Sequence, residues 1–203
     1  MPLQNRVTPF GEIVALPGGG SMMGNRGILH DDRRRIVREW QVRRWIACVL
    51  EFRGRHREVM QPHRYTELFF LDEAAAFAAG HRPCAECRRD DYNRFRALWG
   101  GHGEPSNADA MDAKIHADRL AGKKKRTYFD DVAGLADGAY VALDGKAHLV
   151  WDDALFAWSD SGYIARRSRP RHAELEVLTP RTLTVVLRAG YRPAIHPTMH
   201  EVR

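Results

Sequence analysis

Cys84 and Cys87 stand three positions apart in the run Gly80-His81-Arg82-Pro83-Cys84-Ala85-Glu86-Cys87-Arg88-Arg89, and they are two of only three cysteines in 203 residues. A C-x-x-C pair lets one short turn present two thiolates to the same ion, and tetrahedral zinc favours sulfur donors of this kind. Four donors complete such a site, so the motif supplies half. The economical completion is Cys48 with one of His30, His56, His63 or His81. His63 is preferred because it immediately precedes the extended segment that leads to the cysteine turn, whereas His81 is so close to Cys84 that its ring is expected to point elsewhere. The competing reading of Cys48 is a small apolar side chain buried in a strand.

Arginines surround the motif. Arg82, Arg88 and Arg89 are expected near the start of the helix that follows Cys87, and oriented N–H groups at a helix N-terminus add to their attraction for phosphate. A solvated face, with these arginines paired to Glu86, Asp90 and Asp91, is the alternative. The chain carries 32 Lys and Arg against 26 Asp and Glu, and only five of the basic residues are lysine. Arginine forks phosphate better than lysine does, although compositional bias produces the same excess. Residues 1–100 carry a net charge of +5 and residues 101–203 a net charge of +1, so the excess lies with the cysteines. A positive surface of this kind attracts nucleic acid and other polyanions.

Two further clusters can do chemistry. In Gly24-Asn25-Arg26-Gly27-Ile28-Leu29-His30-Asp31-Asp32, followed by Arg33-Arg34-Arg35, the glycines allow close backbone approach to a ligand. His30 beside Asp31 offers acid–base or metal chemistry, and Arg33 and Arg34 add basic surface for nucleic acid; ordinary turn chemistry is the plainer reading. Asp112, His116 and Arg119 fall at i, i+4 and i+7 of a helix, so an Asp can orient His116 as a base, or the three make a solvated stripe. The chain contains no H-E-x-x-H, G-x-S-x-G or Walker loop, which removes the familiar metalloprotease, esterase and nucleoside-triphosphatase signatures.

The elements that position these residues are legible in outline. Residues 43–53 (RRWIACVLEFR) are apolar on both faces and predict a strand with Cys48 in its middle. A second extended piece, 65–70, ends at Asp72, which caps a helix over 73–79 stopped by Gly80. Tyr92, Phe95 and Trp99 recur at helical spacing, and a further helix starts at Ser106 or Asn107 and runs to Leu120. Strands 139–143 and 146–151 flank Asp144-Gly145, a type I′ hairpin signal, with a third strand at 154–158 and a fourth at 174–178. Thr179 caps a last short helix that begins at Pro180 and stops at Gly190.

The segment Tyr65 to Asp90, YTELFFLDEAAAFAAGHRPCAECRRD, resembles the zinc-binding domain of Ada-type DNA repair proteins over about 30 residues. The matching features are the alanine-rich helix, Gly80, Arg82-Pro83 and the turn Cys84 to Cys87, in that order. The resemblance implies bound zinc and contact with DNA, rather than RNA, from this surface. Ada-type domains place two more cysteines upstream, one of them the methyl acceptor, whereas only Cys48 precedes the motif here, so methyl transfer does not carry over.

These readings give an α+β fold: a zinc-knuckle-containing N-terminal region over 1–122, a linker near 123–137, and a small antiparallel sheet with short helices over 138–203. No run reaches the length of a membrane span and the N-terminus lacks a signal-peptide pattern, so a cytoplasmic protein without membrane partners is expected. The leading functional expectation is a zinc-containing DNA-binding protein for damaged or modified bases. The alternatives are a nuclease or base glycosylase, a hydrolase using His30 with Asp31 or His116, and a non-catalytic protein-interaction module. Trp151, Trp158 and Tyr163 can stack bases, though core packing accounts for them equally.

Overall fold

Short strands with few apolar residues must share neighbours to be stable, and the N-terminal half does this in one mixed sheet. The computed structural model describes residues 1–55, 58–100 and 107–202. Its first sheet joins β1 (Arg6–Val7), β2 (Ile13–Val14), β3 (Met22–Asn25), β4 (Ile46–Cys48), β5 (Leu68–Phe70) and, beyond helix α1 (Glu73–Ala78), β6 (Arg82–Pro83). The order is β2-β1-β5-β3-β4-β6, with β4 and β6 parallel. The long strand expected over 43–53 is only three residues. Its partners are equally short, Pro83 has no N–H to extend the ladder, and positive φ at Arg53 and Gly54 turns the chain away. A sheet was expected in the C-terminal half alone; this one occupies the N-terminal half as well.

Helix α1 is buried at every position. Asp72 caps it as the sequence suggests, accepting from Ala75 N–H at 2.8 Å, and its second oxygen accepts from the Tyr163 hydroxyl at 2.7 Å and His196 N–H at 3.0 Å. One carboxylate therefore ties the helix start to both halves of the chain. Helix α2 (Arg89–Gly100) buries Tyr92, Phe95 and Trp99 as the spacing requires. Helix α3 (Ala108–Arg119) is capped by Asn107, whose side chain accepts from Ala110 N–H at 2.8 Å; Ser106 lies outside the described residues.

The segment expected as a linker carries structure. It contains the second arm of the small hairpin β7 (Leu120–Ala121) and β8 (Lys124–Lys125), then β9 (Tyr128–Asp131), which joins the second sheet. That sheet continues with β10 (Tyr140–Leu143), β11 (Lys146–Trp151), β12 (Ala154–Ser159), β13 (Gly162–Ser168) and β14 (Glu174–Val177), in the antiparallel order β13-β12-β11-β10-β14-β9. Asp144 and Gly145 take φ of 53° and 70°, the pair of left-handed residues a type I′ turn requires. Helix α4 (Arg181–Arg188) departs from its expected cap. Thr179 Oγ1 accepts instead from Tyr140 N–H, and the free N–H of Thr182 is taken by Asp118 of α3 at 2.6 Å. Phe77, Phe95, Trp99, Met111 and Ile115 share one core with Val141, Val150, Leu183 and Tyr191, so the helices of the first half pack on the second sheet.

Candidate metal centre

Register brings the cysteines together. Pairing of Ile46 with Arg82 and Ala47 with Pro83 continues through Cys84 N–H, which donates to Ala47 O at 2.9 Å and sets Cys84 beside Cys48 at the end of β4. The turn then closes on itself: Arg88 N–H donates to Cys84 O at 3.2 Å and Glu86 N–H to Cys84 Sγ at 3.4 Å, returning Cys87 to the same place. The three Sγ atoms lie within 4.8 Å of one another, with Cys48 and Cys84 buried and Cys87 half-buried. Zn–S bonds of about 2.3 Å in a tetrahedron separate sulfurs by about 3.8 Å, so the arrangement fits a metal ion after a small contraction.

The thiols compete for charge. Contact with Cys48, then Cys87, pushes the Cys84 thiol well down, while contacts with Cys84 and Cys87 drive Cys48 upward. Crowded sulfurs of this kind hold one thiolate readily and three only beside a cation.

The cluster opens on a cavity of about 450 Å³. Cys48, Cys84 and Cys87 form one wall; Asn25, Phe52, Tyr65, Glu67 and Phe69 contribute to the rest, with Arg55 and Glu86 also lining it. Glu67 is buried and its Oε2 accepts from Met60 N–H at 2.8 Å, while Arg55 and Glu86 form an exposed ion pair at 2.9 Å. Glu67, Asn25 and Phe52 were not singled out in the sequence; the signal was there in the alternation of Tyr65, Glu67 and Phe69 on one face of an extended segment.

None of the described histidines joins the sulfurs. His63 is exposed, with φ of 61°, and is not part of the cysteine group. His81 is fully buried, edge-on to Phe70 with ring centroids 4.6 Å apart, and its Nε2 accepts from Arg26 Nε at 3.4 Å. His56 lies outside the described residues. At His30, a carbonyl can only accept, so Nε2 donates to Gln61 O at 3.1 Å and Nδ1 accepts from the Thr66 hydroxyl at 2.6 Å. Thr66 Oγ1 in turn accepts from Leu29 N–H at 2.9 Å, so both ring nitrogens of His30 brace the loop. Asp31 accepts from the N–H groups of Arg33 and Arg35, each at 2.9 Å, and binds the Arg35 guanidinium.

The helix stripe separates too. Asp112 faces Arg82 rather than His116, while His116 Nδ1 accepts from Arg119 Nη2 at 2.7 Å and packs against Trp40. None of His30, Asp31 and His116 lines the cysteine cavity. Of the arginines expected to meet phosphate, Arg82 and Arg88 are buried. Arg88 binds Glu73 at 2.8 Å and Asp91 at 2.6 Å, and Arg34 is paired with Glu58, which leaves Arg33 and Arg89 exposed. No helix among the described residues is long and apolar enough to cross a membrane. Comparison with known proteins returns no matching family model, no matching curated relative and no matching solved structure.

Proposed function

We propose that this chain is a zinc protein that recognises nucleic acid, DNA in the first place, with Cys48, Cys84 and Cys87 holding the metal. The observation that carries the reading is the convergence of three cysteines from two chain segments, with their sulfurs within 4.8 Å. Zinc suits a sulfur-rich site and undergoes no redox chemistry of its own, and binding there would pin the end of β4 to the cysteine turn. The nucleic-acid part rests on the +6 net charge, the arginine-rich N-terminal half, the exposed side chains of Arg33 and Arg89, and the Ada-like order of features around the turn. Arg82 and Arg88 support the turn from inside through their carboxylate partners.

Elemental analysis of the purified protein tests the metal: one zinc per chain, lost in Cys48→Ser and Cys84→Ser, is expected. Zinc-free wild type prepared without chelators would overturn the reading. The DNA part is tested by salt titration of duplex and single-stranded affinity; replacing Arg33 and Arg89 by Ala should weaken binding and flatten its salt dependence. Unchanged affinity removes that surface.

The cavity supports a second reading, an enzyme acting on nucleic acid. Structural zinc sites are closed by four protein donors, whereas catalytic ones keep a position open to a ligand. Single-turnover assays on damaged, single-stranded and plain duplex DNA separate this from passive binding, since only an enzyme yields product.

A further inference from the structure

We infer that the cavity beside the three cysteines binds a single unstacked nucleobase carrying an exocyclic amine, such as cytosine or adenine. This deepens the nucleic-acid reading and rests on it. The space of about 450 Å³ is within the range of small-ligand sites, roughly 300 to 1,000 Å³. Its walls combine the aromatic side chains of Phe52, Tyr65 and Phe69 with the Asn25 amide, the buried Glu67 carboxylate and the exposed Arg55–Glu86 ion pair. Aromatic faces receive a base by stacking, whatever its identity. Asn25 and Glu67 supply the choice. A carboxylate accepts from an amine, and an amide both donates and accepts, so together they match an amine next to a ring acceptor.

These two groups are held for that purpose. Glu67 is fixed by Met60 N–H on Oε2, and Asn25 sits on β3 with Oδ1 turned toward Gly27 N–H at 3.4 Å, which directs the amide. Outside, the exposed Arg55 lines the same cavity, paired with Glu86 at 2.9 Å, and would exchange that carboxylate for the phosphate of the nucleotide whose base has entered. The three cysteines also line the cavity, so a base bound there would lie beside a metal that they held. A base removed from its stack is also the form in which lesions and modified bases are inspected.

The test is equilibrium binding of cytidine, adenosine, uridine and ribose 5-phosphate to the zinc-loaded wild type by calorimetry. Cytidine or adenosine should bind about tenfold or more tightly than uridine, as an added base-edge contact of this kind implies. Phe52→Ala, at a half-buried position, should weaken all nucleosides together by about tenfold through lost stacking. Glu67→Gln should abolish the preference for the amine. Equal affinity for uridine, or binding of ribose 5-phosphate as tight as that of the nucleosides, would overturn the inference in favour of a plain apolar or anion site. No nucleoside binding to protein that carries one zinc would also overturn it and leave the metal assignment standing, whereas failure to load zinc removes the underlying reading itself.

Discussion

Arg82 and Asp112 form a buried two-pronged ion pair, Nε to Oδ1 at 2.8 Å and Nη2 to Oδ2 at 2.7 Å, with each side chain no more than 5% exposed. It joins α3 to the residue two positions before Cys84, so the cysteine turn is held by a helix remote in sequence. Removing one partner strands the other charge away from water, which costs about 3 to 5 kcal/mol for pairs of this kind. Asp112→Ala is therefore expected to lower the urea midpoint strongly and to loosen zinc retention under chelator challenge. A variant as stable as wild type would show that the pair is solvated in solution.

Zinc removal should act on stability as well as on ligand binding. A metal that binds the folded chain alone stabilises it by mass action, and about 2.7 kcal/mol follows when free zinc is a hundredfold above its dissociation constant. The melting temperature should fall on chelation and recover on zinc readdition. Cys84→Ser should already melt low and no longer respond to chelator. The core of aromatic and aliphatic residues around Phe77 and Tyr191 does not include the cysteines, so the chelated protein should remain folded.

The α+β class, the capped helix after Asp72, the aromatic face of α2 and the Asp144-Gly145 hairpin were legible because each depends on residues close in sequence. The first sheet was not, since its strands are two to four residues long and its order rests on long-range pairing. Strand β13 escaped notice for a different reason: after Tyr163 its residues are exposed and arginine-rich, as suits an edge strand but not an apolar pattern. At the site, the C-x-x-C pair carried its meaning in its spacing, and Cys48 joined it only through the β4 to β6 register. Arg82 read as surface because its partner Asp112 lies 30 residues away; for Arg88 the nearby Asp91 was legible as a partner, but the buried Glu73, 15 residues upstream, was not. Charge in a sequence does not disclose burial when the counter-charge is distant.

Trp45 is clasped by two arginines, with the guanidinium carbons of Arg26 and Arg119 at 4.1 Å and 3.7 Å from its ring centroid. Its indole N–H donates to Val42 O at 2.9 Å, and Arg119 donates to Gly80 O at 2.8 Å and Arg43 O at 2.6 Å. Desolvated cation–π contacts are worth about 2 kcal/mol, so the double-mutant cycle of Trp45→Leu with Arg119→Gln should show coupling of about 1 to 2 kcal/mol. Gly80 takes φ of 85°, and a Cβ there would come within 2.6 Å of Arg119 Cδ. Gly80→Ala should cost about 1 to 3 kcal/mol from backbone strain and displace the same arginine. Chemical denaturation measures both; additive effects in the cycle would mean that Trp45 and Arg119 merely share a neighbourhood.

Lys125 gives the clearest pH dependence. Its ammonium donates to the carbonyl oxygens of Pro9, at 2.7 Å, and Ala78, yet burial first and Arg26 next pull its pKa down to about 7. The unfolded chain keeps this proton to about pH 10.4, so between the two values it binds more protons than the folded chain, and stability rises with pH. The rise is at most about 1.4 kcal/mol per pH unit from this one group. Below pH 7 the charged form is present in both states and the penalty is complete. His81, also lowered by burial, acts in the same direction but below the ordinary histidine value, and the buried Tyr140 and Tyr163 are raised above 10; zinc-bound thiolates of Cys48, Cys84 and Cys87 add to the rise until about pH 8.5, where unfolded thiols lose their protons, so the share of Lys125 is the difference between wild type and a Lys125 variant. Burial disfavours the guanidinium charges of Arg26 and Arg119 as well, but arginine keeps its proton throughout the interval from pH 7 to 9. Urea midpoints of zinc-loaded protein at pH 7, 8 and 9 should climb, and Lys125→Met should make the climb shallower while raising stability at pH 7. A Lys125→Met profile that climbs as steeply as the wild type would mean that the ammonium is solvated and its two carbonyl contacts are made at no cost in charge.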